Sequence, residues 1–300
     1  MAEGFGAAMI EEFAPAKVNL ALHVTGRRAD GYHLLDSLVV FASAGDRLDF
    51  EPSGEDRLSI SGRFAASLSD HAAPGSGNLV IRARDALRGW ASRNGMPAPP
   101  VHVRLEKSLP VASGIGGGSA DAAAALRGLD RLWGLGVPRR ELHEMGLAIG
   151  ADVPMCIESR PLVARGVGED ILPVGDFPEF FLLLVNPLVE VSTPEVFRRL
   201  SNRRNPPIEL PQEGAPPEQW LAMLAVSRND LQEAASALEP RIAEALELIR
   251  EADPMLARMS GSGATCFGVY RSRSSLDRAL ARLEAQRPGW YLEGATILRP

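Results

Sequence analysis

The sequence predicts an α+β fold in two domains, and three observations carry that prediction. A length of 300 residues exceeds one domain of common size and points to about two. In the first part, short runs alternate apolar with polar residues and are interleaved with helical periodicity. The last part runs from a glycine-rich lead into an apolar strand, through a helix with Leu276, Leu280 and Leu283 on one face, to a terminal strand around Trp290 to Leu298. That is the split β-α-β layout of ferredoxin-like domains.

Taken in order, the first dozen residues read as a loose tail, and the chain proper begins at Ala14 with APAKVNLALHV. Val18, Leu20, Leu22 and Val24 alternate there with Lys17, Asn19 and His23, which is a strand carrying Lys17 and Asn19 on one polar face. Alone, such a lysine is most simply a solvated outer face. The segment GRRADGYH from Gly26 to His33 then turns through Asp30-Gly31, leaving Tyr32 either to cover the hairpin end or to offer a ring for stacking. Leu38 to Phe41, Arg47 to Phe50 and Leu58 to Ile60 read as further short strands with antiparallel, meander-like connections. Leu79, Ala83, Leu87 and Trp90 share one helical face, with Asn78 as a plausible N-cap and Gly95 as a stop.

A strand over Val101 to Leu105 leads through Lys107 into PVASGIGGGSADAAAA, from Pro110 to Ala125. Strand, glycine loop and helix in this order make a phosphate cradle. A loop without β-carbons lets backbone N–H groups approach an anion, and the helix adds its own unpaired N–H groups and positive dipole end, with Ser119 as N-cap. A dinucleotide fingerprint needs a third glycine where Ser119 stands, and the nucleotide loop ending in Gly-Lys needs a lysine that is missing after Gly118. A mobile surface loop is the bland alternative.

Arg139 to Ile149 forms an amphipathic helix closed by Gly150, after which Asp152 before Val153-Pro154 reads, in isolation, as the N-cap of a short turn. A strand at Phe181 to Val185 and a helix opened by Thr193 and Pro194 that bears Phe197 begin the second half. Ser201 to Pro217 is a proline-rich connection, the most exposed in the chain, and helices follow around Pro217 to Val226 and Asn229 to Glu251. Residues 259 to 270, MSGSGATCFGVY, bring a second glycine cluster, read as a strand bulge or a site.

Composition limits the function. With 32 Lys and Arg against 38 Asp and Glu the net charge is −6, so no overall basic field exists to hold nucleic acid, and an RNA-binding role is disfavoured. Two cysteines, Cys156 and Cys266, offer neither a disulfide framework nor metal-ligand spacing. Lys and Arg are missing before Lys17 and no 18-residue apolar run occurs, so neither a basic secretory start nor a membrane span is expected, and a cytoplasmic setting fits.

PAKVNLALHVTGRRADGYH at 15 to 33, PVASGIGGGSADAAAA at 110 to 125 and MSGSGA at 259 to 264 together resemble the three motifs of the GHMP kinase superfamily. The turn Asp30-Gly31-Tyr32-His33 and the segment Gly150 to Pro154 are most similar to the branch that phosphorylates a cytidine diphosphate alcohol in isoprenoid precursor synthesis. The alternative is another member acting on homoserine or a mevalonate-type alcohol. The resemblance implies a ribosomal-protein-like N-terminal, ATP-binding domain over 1–164 and a ferredoxin-like C-terminal domain over 165–300. It implies ATP and Mg²⁺ as cofactors, with Lys17 and Asp152 as the catalytic pair. Pro110, Val111, Ala112, Ser113, Gly114, Ile115, Gly116, Gly117, Gly118, Ser119 and Ala120 would hold ATP, with Asn78 and Lys107 near the adenine. Asn19, Tyr32, His33, Thr193 and Phe197 would contact the substrate, Tyr32 and Phe197 as a sandwich around the cytosine, and Ser119 is a possible metal ligand.

Overall fold

A computed structural model describes residues 9–71, 77–111 and 113–299. In chain order the elements are β1 (Ile10–Arg27), β2 (His33–Pro52), β3 (Arg57–Ser61), α1 (Leu79–Arg93), β4 (Val101–Glu106), α2 (Gly117–Trp133), α3 (Arg139–Ile149), α4 (Val153–Glu158), β5 (Leu162–Gly166) and β6 (Asp170–Pro173). They continue with β7 (Phe181–Asn186), α5 (Thr193–Arg198), α6 (Pro217–Val226), α7 (Gln232–Leu238), α8 (Pro240–Arg250), β8 (Leu256–Met259), β9 (Cys266–Tyr270), α9 (Arg273–Gln286) and β10 (Tyr291–Thr296).

The chain forms two compact units. One comprises residues 1–15, 45–111 and 117–158, the other 16–44, 112–116 and 159–300, so β1 and β2 each contribute to both. In the first unit the end of β2 pairs antiparallel with β4, Arg47 opposite Glu106 through Pro52 opposite Val101. β3 pairs with β4 in parallel, which departs from the expected meander. The reason is α1, the crossover that a parallel pair requires. α1 and α2 pack together, with Val80, Ala83, Leu87 and Trp90 buried on α1 and Ala122 to Leu126 and Leu129 on α2.

In the second unit the start of β2 pairs with β5, and β5 with β6, both antiparallel. Its other sheet has the order β10-β7-β9-β8, antiparallel at every pairing, which is the ferredoxin-like arrangement the sequence predicts. Leu183, Val185, Ile242, Leu246, Ile249, Cys266 and Leu276 share the core beneath it.

Several elements differ from the sequence-based expectation. β1 begins at Ile10, and both of its faces are buried from Ala14 to Val24, so Lys17 at 5% exposure is not on a solvated face. The runs around Phe41 and Arg47 belong to one strand of 20 residues. The helix expected over Asn229 to Glu251 is two, because Glu239 is held extended (φ −132°, ψ 98°) before Pro240, which supplies no N–H to continue α7. The proline-rich connection is tied down: Ile208 is buried and its N–H donates to Asp36, Asn205 N–H to the Val24 carbonyl, and the Pro206 carbonyl lies 2.9 Å from His23 Nδ1. No helix among the described residues is long and apolar enough to cross a membrane.

Gly128 in α2 gives a test of the packing. A β-carbon there would lie 2.3 Å from the Phe50 ring, which is fully buried and cannot move aside. Helix propensity alone favours Gly128→Ala by up to about 1 kcal/mol, but overpacking costs about 1–3 kcal/mol. Urea unfolding of Gly128→Ala is expected to show a net loss of stability; a gain would contradict the packing described.

Candidate active site

In the second unit the segments carrying the first, second and third sequence motifs meet. Lys17 donates its backbone N–H to the Ile115 carbonyl at 2.9 Å, and a β-carbon on Gly116 would sit 3.2 Å from the Lys17 side chain. The Lys17 stem is thus laid along the bare backbone of Gly116. Ser260, fully buried, accepts the Asn19 N–H at 3.0 Å and donates its hydroxyl to the Gly114 carbonyl at 3.0 Å. Thr265 N–H reaches the Ser113 carbonyl at 3.1 Å, and Asn229 Nδ2 holds the Met259 and Gly261 carbonyls at 2.8 Å each.

This approach is possible only with glycine. Gly114 (φ 76°) and Gly261 (φ 56°) are left-handed, and a β-carbon on Gly114 would fall 2.6 Å from the Gly263 carbonyl oxygen. Of the two residues that fasten these segments, Ser260 lies within the third motif but was given no role from sequence, and Asn229, outside all three motifs, was missed.

Asn19 is buried beside them. Its Nδ2 donates to the Ser37 hydroxyl at 2.7 Å, and that hydroxyl donates on to the Ala21 carbonyl at 2.8 Å. Since Ser37 spends its proton on Ala21, it must accept from Asn19, which fixes the amide orientation. The Asn19 Oδ1 is left buried with no hydrogen-bond partner.

The hairpin forms as expected. Gly31 (φ 96°) and the Arg28 N–H bond to the Tyr32 carbonyl (2.8 Å) make the turn, with Tyr32 66% exposed at its tip. His33 stacks directly on Phe197, centroids 4.7 Å apart and planes 22° from parallel. The ring against Phe197 is therefore that of His33, where the sequence reading had paired Tyr32 with Phe197 around a base. Burial lowers the His33 pKa, helped by Arg27 and Arg203, and its Nε2 is buried without a partner. Thr193, opening α5, shares a 2.7 Å hydrogen bond with the Ser262 hydroxyl of the third motif.

The first unit holds the remaining residues. α2 begins at Gly117, so Ser119 lies within its first turn and is not the N-cap. Helical geometry starts directly after Gly116, whose φ of 66° redirects the chain. Gly117 and Gly118 differ in what they face. A β-carbon on Gly117 would come 3.1 Å from Lys107 Nζ, whereas one on Gly118 would meet only Leu79 at 3.6 Å. Gly118 is exposed, so the bare backbone that an anion can reach is there. Pro110 and Ala120 are buried, Val111 is exposed, and Ala112 lies outside the described residues. In the second unit's part of the loop Ser113 and Ile115 are buried as well.

Lys107 needs correction. Its ammonium, 2% exposed, is held by Asp46 at 2.5 Å and Asp121 at 2.7 Å, so the side chain is an internal tie and is not offered to an adenine. Burial alone would lower its pKa, but the two carboxylates reverse this and raise it. Burial drives Asp121 up to about 7, with Lys107 opposing and Asp46 adding to the shift. Asp46 was missed, although period two places it on the face of Leu48 and Phe50, as it places Lys107 on that of Val101, Val103 and Leu105. Asn78 caps α1, its Oδ1 accepting the Val80 N–H at 2.9 Å. Asp152 immediately precedes α4, and its carbonyl accepts the Cys156 N–H at 3.2 Å. Among the described residues no group of three or more His, Cys, Asp or Glu could hold a metal ion.

Two family models match the chain, "GHMP kinases N terminal domain" over residues 78–160 and "GHMP kinases C terminal" over 215–288. A protein of Rhizobium meliloti (strain 1021) named 4-diphosphocytidyl-2-C-methyl-D-erythritol kinase is 54% identical over 280 residues, 93% of this chain and 92% of that one. Among solved structures, a crystal structure of 4-(cytidine 5'-diphospho)-2C-methyl-D-erythritol kinase superposes with a TM-score of 0.77 at 33% identity, over 96% of this chain and 99% of that one. Homoserine kinase from Cytophaga hutchinsonii superposes at 0.69 with 17% identity, covering 100% of this chain and 97% of that one, a likeness of fold.

The pKa of Asp121 carries a pH dependence. A carboxyl raised from 3.8 to about 7 on folding contributes stability that is fully present below 3.8 and lost as pH rises through about 7. Asp121→Asn keeps an acceptor for Lys107 and does not titrate. Urea unfolding from pH 5 to 8 should show the parent losing stability relative to Asp121→Asn as pH rises, by an order of a few kcal/mol at most. A pH-independent difference would refute the assignment.

Proposed function

Because the chain belongs to the GHMP kinases, in the branch of the 4-diphosphocytidyl-2-C-methyl-D-erythritol kinases, we propose that it transfers the γ-phosphoryl group of ATP to the 2-hydroxyl of 4-diphosphocytidyl-2-C-methyl-D-erythritol. The observation that carries this reading is the junction of Lys17, Asn19, Gly114, Gly116 and Ser260. It lays a lysine stem on a glycine loop and leaves a buried amide oxygen beside it for a substrate hydroxyl.

In this reading Asp152 accepts the proton of the attacking hydroxyl. The substrate oxygen forms its bond to the γ-phosphorus as the bond to the ADP oxygen breaks, and Lys17 holds the hydroxyl and the transferring group. Phosphoryl transfer asks for positioning and charge neutralisation more than covalent help, which suits this sparse set. The first turn of α2, with exposed Gly118, would take the phosphates on its N–H groups and positive dipole end. Mg²⁺ keeps several waters and is bound largely through substrate phosphates, so it would arrive with ATP. Ser119 is the residue that would hold it, and when bound it supplies positive charge to the phosphate oxygens.

Tyr32, His33, Thr193 and Phe197 form the proposed cytidine side. With Phe197 stacked on His33, a cytosine would have to part these rings or use the other face of Phe197. We also propose 1–164 and 165–300 as the two family domains, since the matched segments fall one inside each.

ADP release is the assay. Asp152→Asn should lower turnover by about 10²-fold or more with little change in either Michaelis constant; a near-parental rate would leave Asp152 as a structural residue only. Phe197→Ala should raise the Michaelis constant for the cytidine-bearing alcohol by about 5- to 150-fold and leave that for ATP unchanged. CDP should compete with the alcohol and not with ATP. Indifference to cytidine nucleotides, with turnover of homoserine or mevalonate, would replace this substrate by those alcohols.

A further inference from the structure

The buried charges beneath the glycine loop are used by nothing in the chemistry above. Asp46 Oδ1 accepts two backbone N–H groups, Ser108 at 2.6 Å and Leu109 at 2.8 Å, where the chain leaves β4 for the loop. Its Oδ2 accepts from Lys107 Nζ, which also donates to Asp121 in α2, where the loop has ended. One fully buried carboxylate therefore grips the chain before the loop directly and the chain after it through a single lysine. The first turn of α2 rests on that lysine, since Gly117 has no side chain to hold it off.

Two carboxylates on one ammonium, all nearly inaccessible, are an expensive way to gain stability, because desolvation cancels much of the attraction. What such a triad does supply is geometry. Short charge-assisted bonds to fixed partners define distances that an apolar contact leaves loose.

We propose that Asp46 is a positioning residue for ATP: it sets the spacing between the end of β4 and the first turn of α2, and so the placement of the N–H groups that receive the phosphates. The proposal rests on the reading of this loop as the ATP site. Asp46 touches neither ATP nor the reacting atoms; it acts through Ser108, Leu109 and Lys107. A change at Asp46 should therefore move ATP binding and leave the alcohol's untouched.

The test uses the full chain, with steady-state ADP release and calorimetric titration of ATP. Asp46→Asn keeps an oxygen for the two N–H groups but loses the acceptor for Lys107. The Michaelis constant and the dissociation constant for ATP are expected to rise by about 10- to 100-fold, with the Michaelis constant for the alcohol unchanged. If Asp46→Asn does not fold, Asp46→Glu, which keeps the charge and displaces the oxygens, decides the same question with the same expected split. A folded variant with unchanged ATP affinity overturns the proposal, as do equal rises for both substrates or a loss confined to turnover. Gly118→Val, parallel to these, separates the two readings. If it leaves ATP affinity unchanged, the loop is not the ATP site and the Asp46 proposal falls with it. If it weakens ATP while the Asp46 variants do not, only the proposal about Asp46 fails.

Discussion

Backbone-to-backbone contact between two glycine segments is the constraint on which the rest of the second unit's site depends. Ser260 bridges them, taking the Asn19 N–H and giving its proton to Gly114. A β-carbon on Gly114 would lie 2.6 Å from the Gly263 carbonyl oxygen and one on Gly261 would lie 2.9 Å from the Gly114 carbonyl oxygen, so any side chain at either position would force the segments apart. Lys17 and Asn19 owe their places to this contact, since β1 is fastened to Ile115 and to Ser260 by its own backbone. The glycines thus do two things at once: they present bare backbone, and they let three distant parts of the chain share one small volume.

The first unit solves a different problem, that of fixing a helix N-terminus under a loop with few side chains of its own. Alanines along α2 allow close packing but offer no polar grip. The grip comes from below, through Lys107, Asp46 and Asp121. Burial raises the Asp121 carboxyl to about 7 while the shared ammonium resists it, so desolvation outweighs the attraction of the ion pair at that group. Both lysines are buried: Lys107, just past the end of β4, serves an internal tie, and the stem of Lys17, on β1, lies along Gly116.

The hairpin through Asp30-Gly31, the α1 stripe of Ala83, Leu87 and Trp90, and the ferredoxin-like end of the chain were readable because each rests on local turn chemistry or on a period shorter than ten residues. Local signals ran out where distant partners decide. β3 is parallel to β4 because α1 carries the chain across, and His33 meets Phe197 although 164 positions separate them in the numbering. The alternation that put Lys17 on an outward face was correct as a period and wrong as an exposure, since both faces of β1 are covered.

By itself the sequence determined the family motifs, many of the strands and helices, and where backbone could be left bare, because glycine spacing, caps and hydrophobic period act within a few residues. Only the tertiary structure decided which polar groups are spent and which are left to act. Lys107 is consumed by Asp46, 61 positions away, Asn19 keeps an unpartnered oxygen because Ser37 has given its proton to Ala21, and Gly117 is bare for a lysine where Gly118 is bare to solvent. The physical reason is that a hydrogen-bond donor or a charge declares its type in the sequence but not its partner, and the partner is fixed by long-range packing.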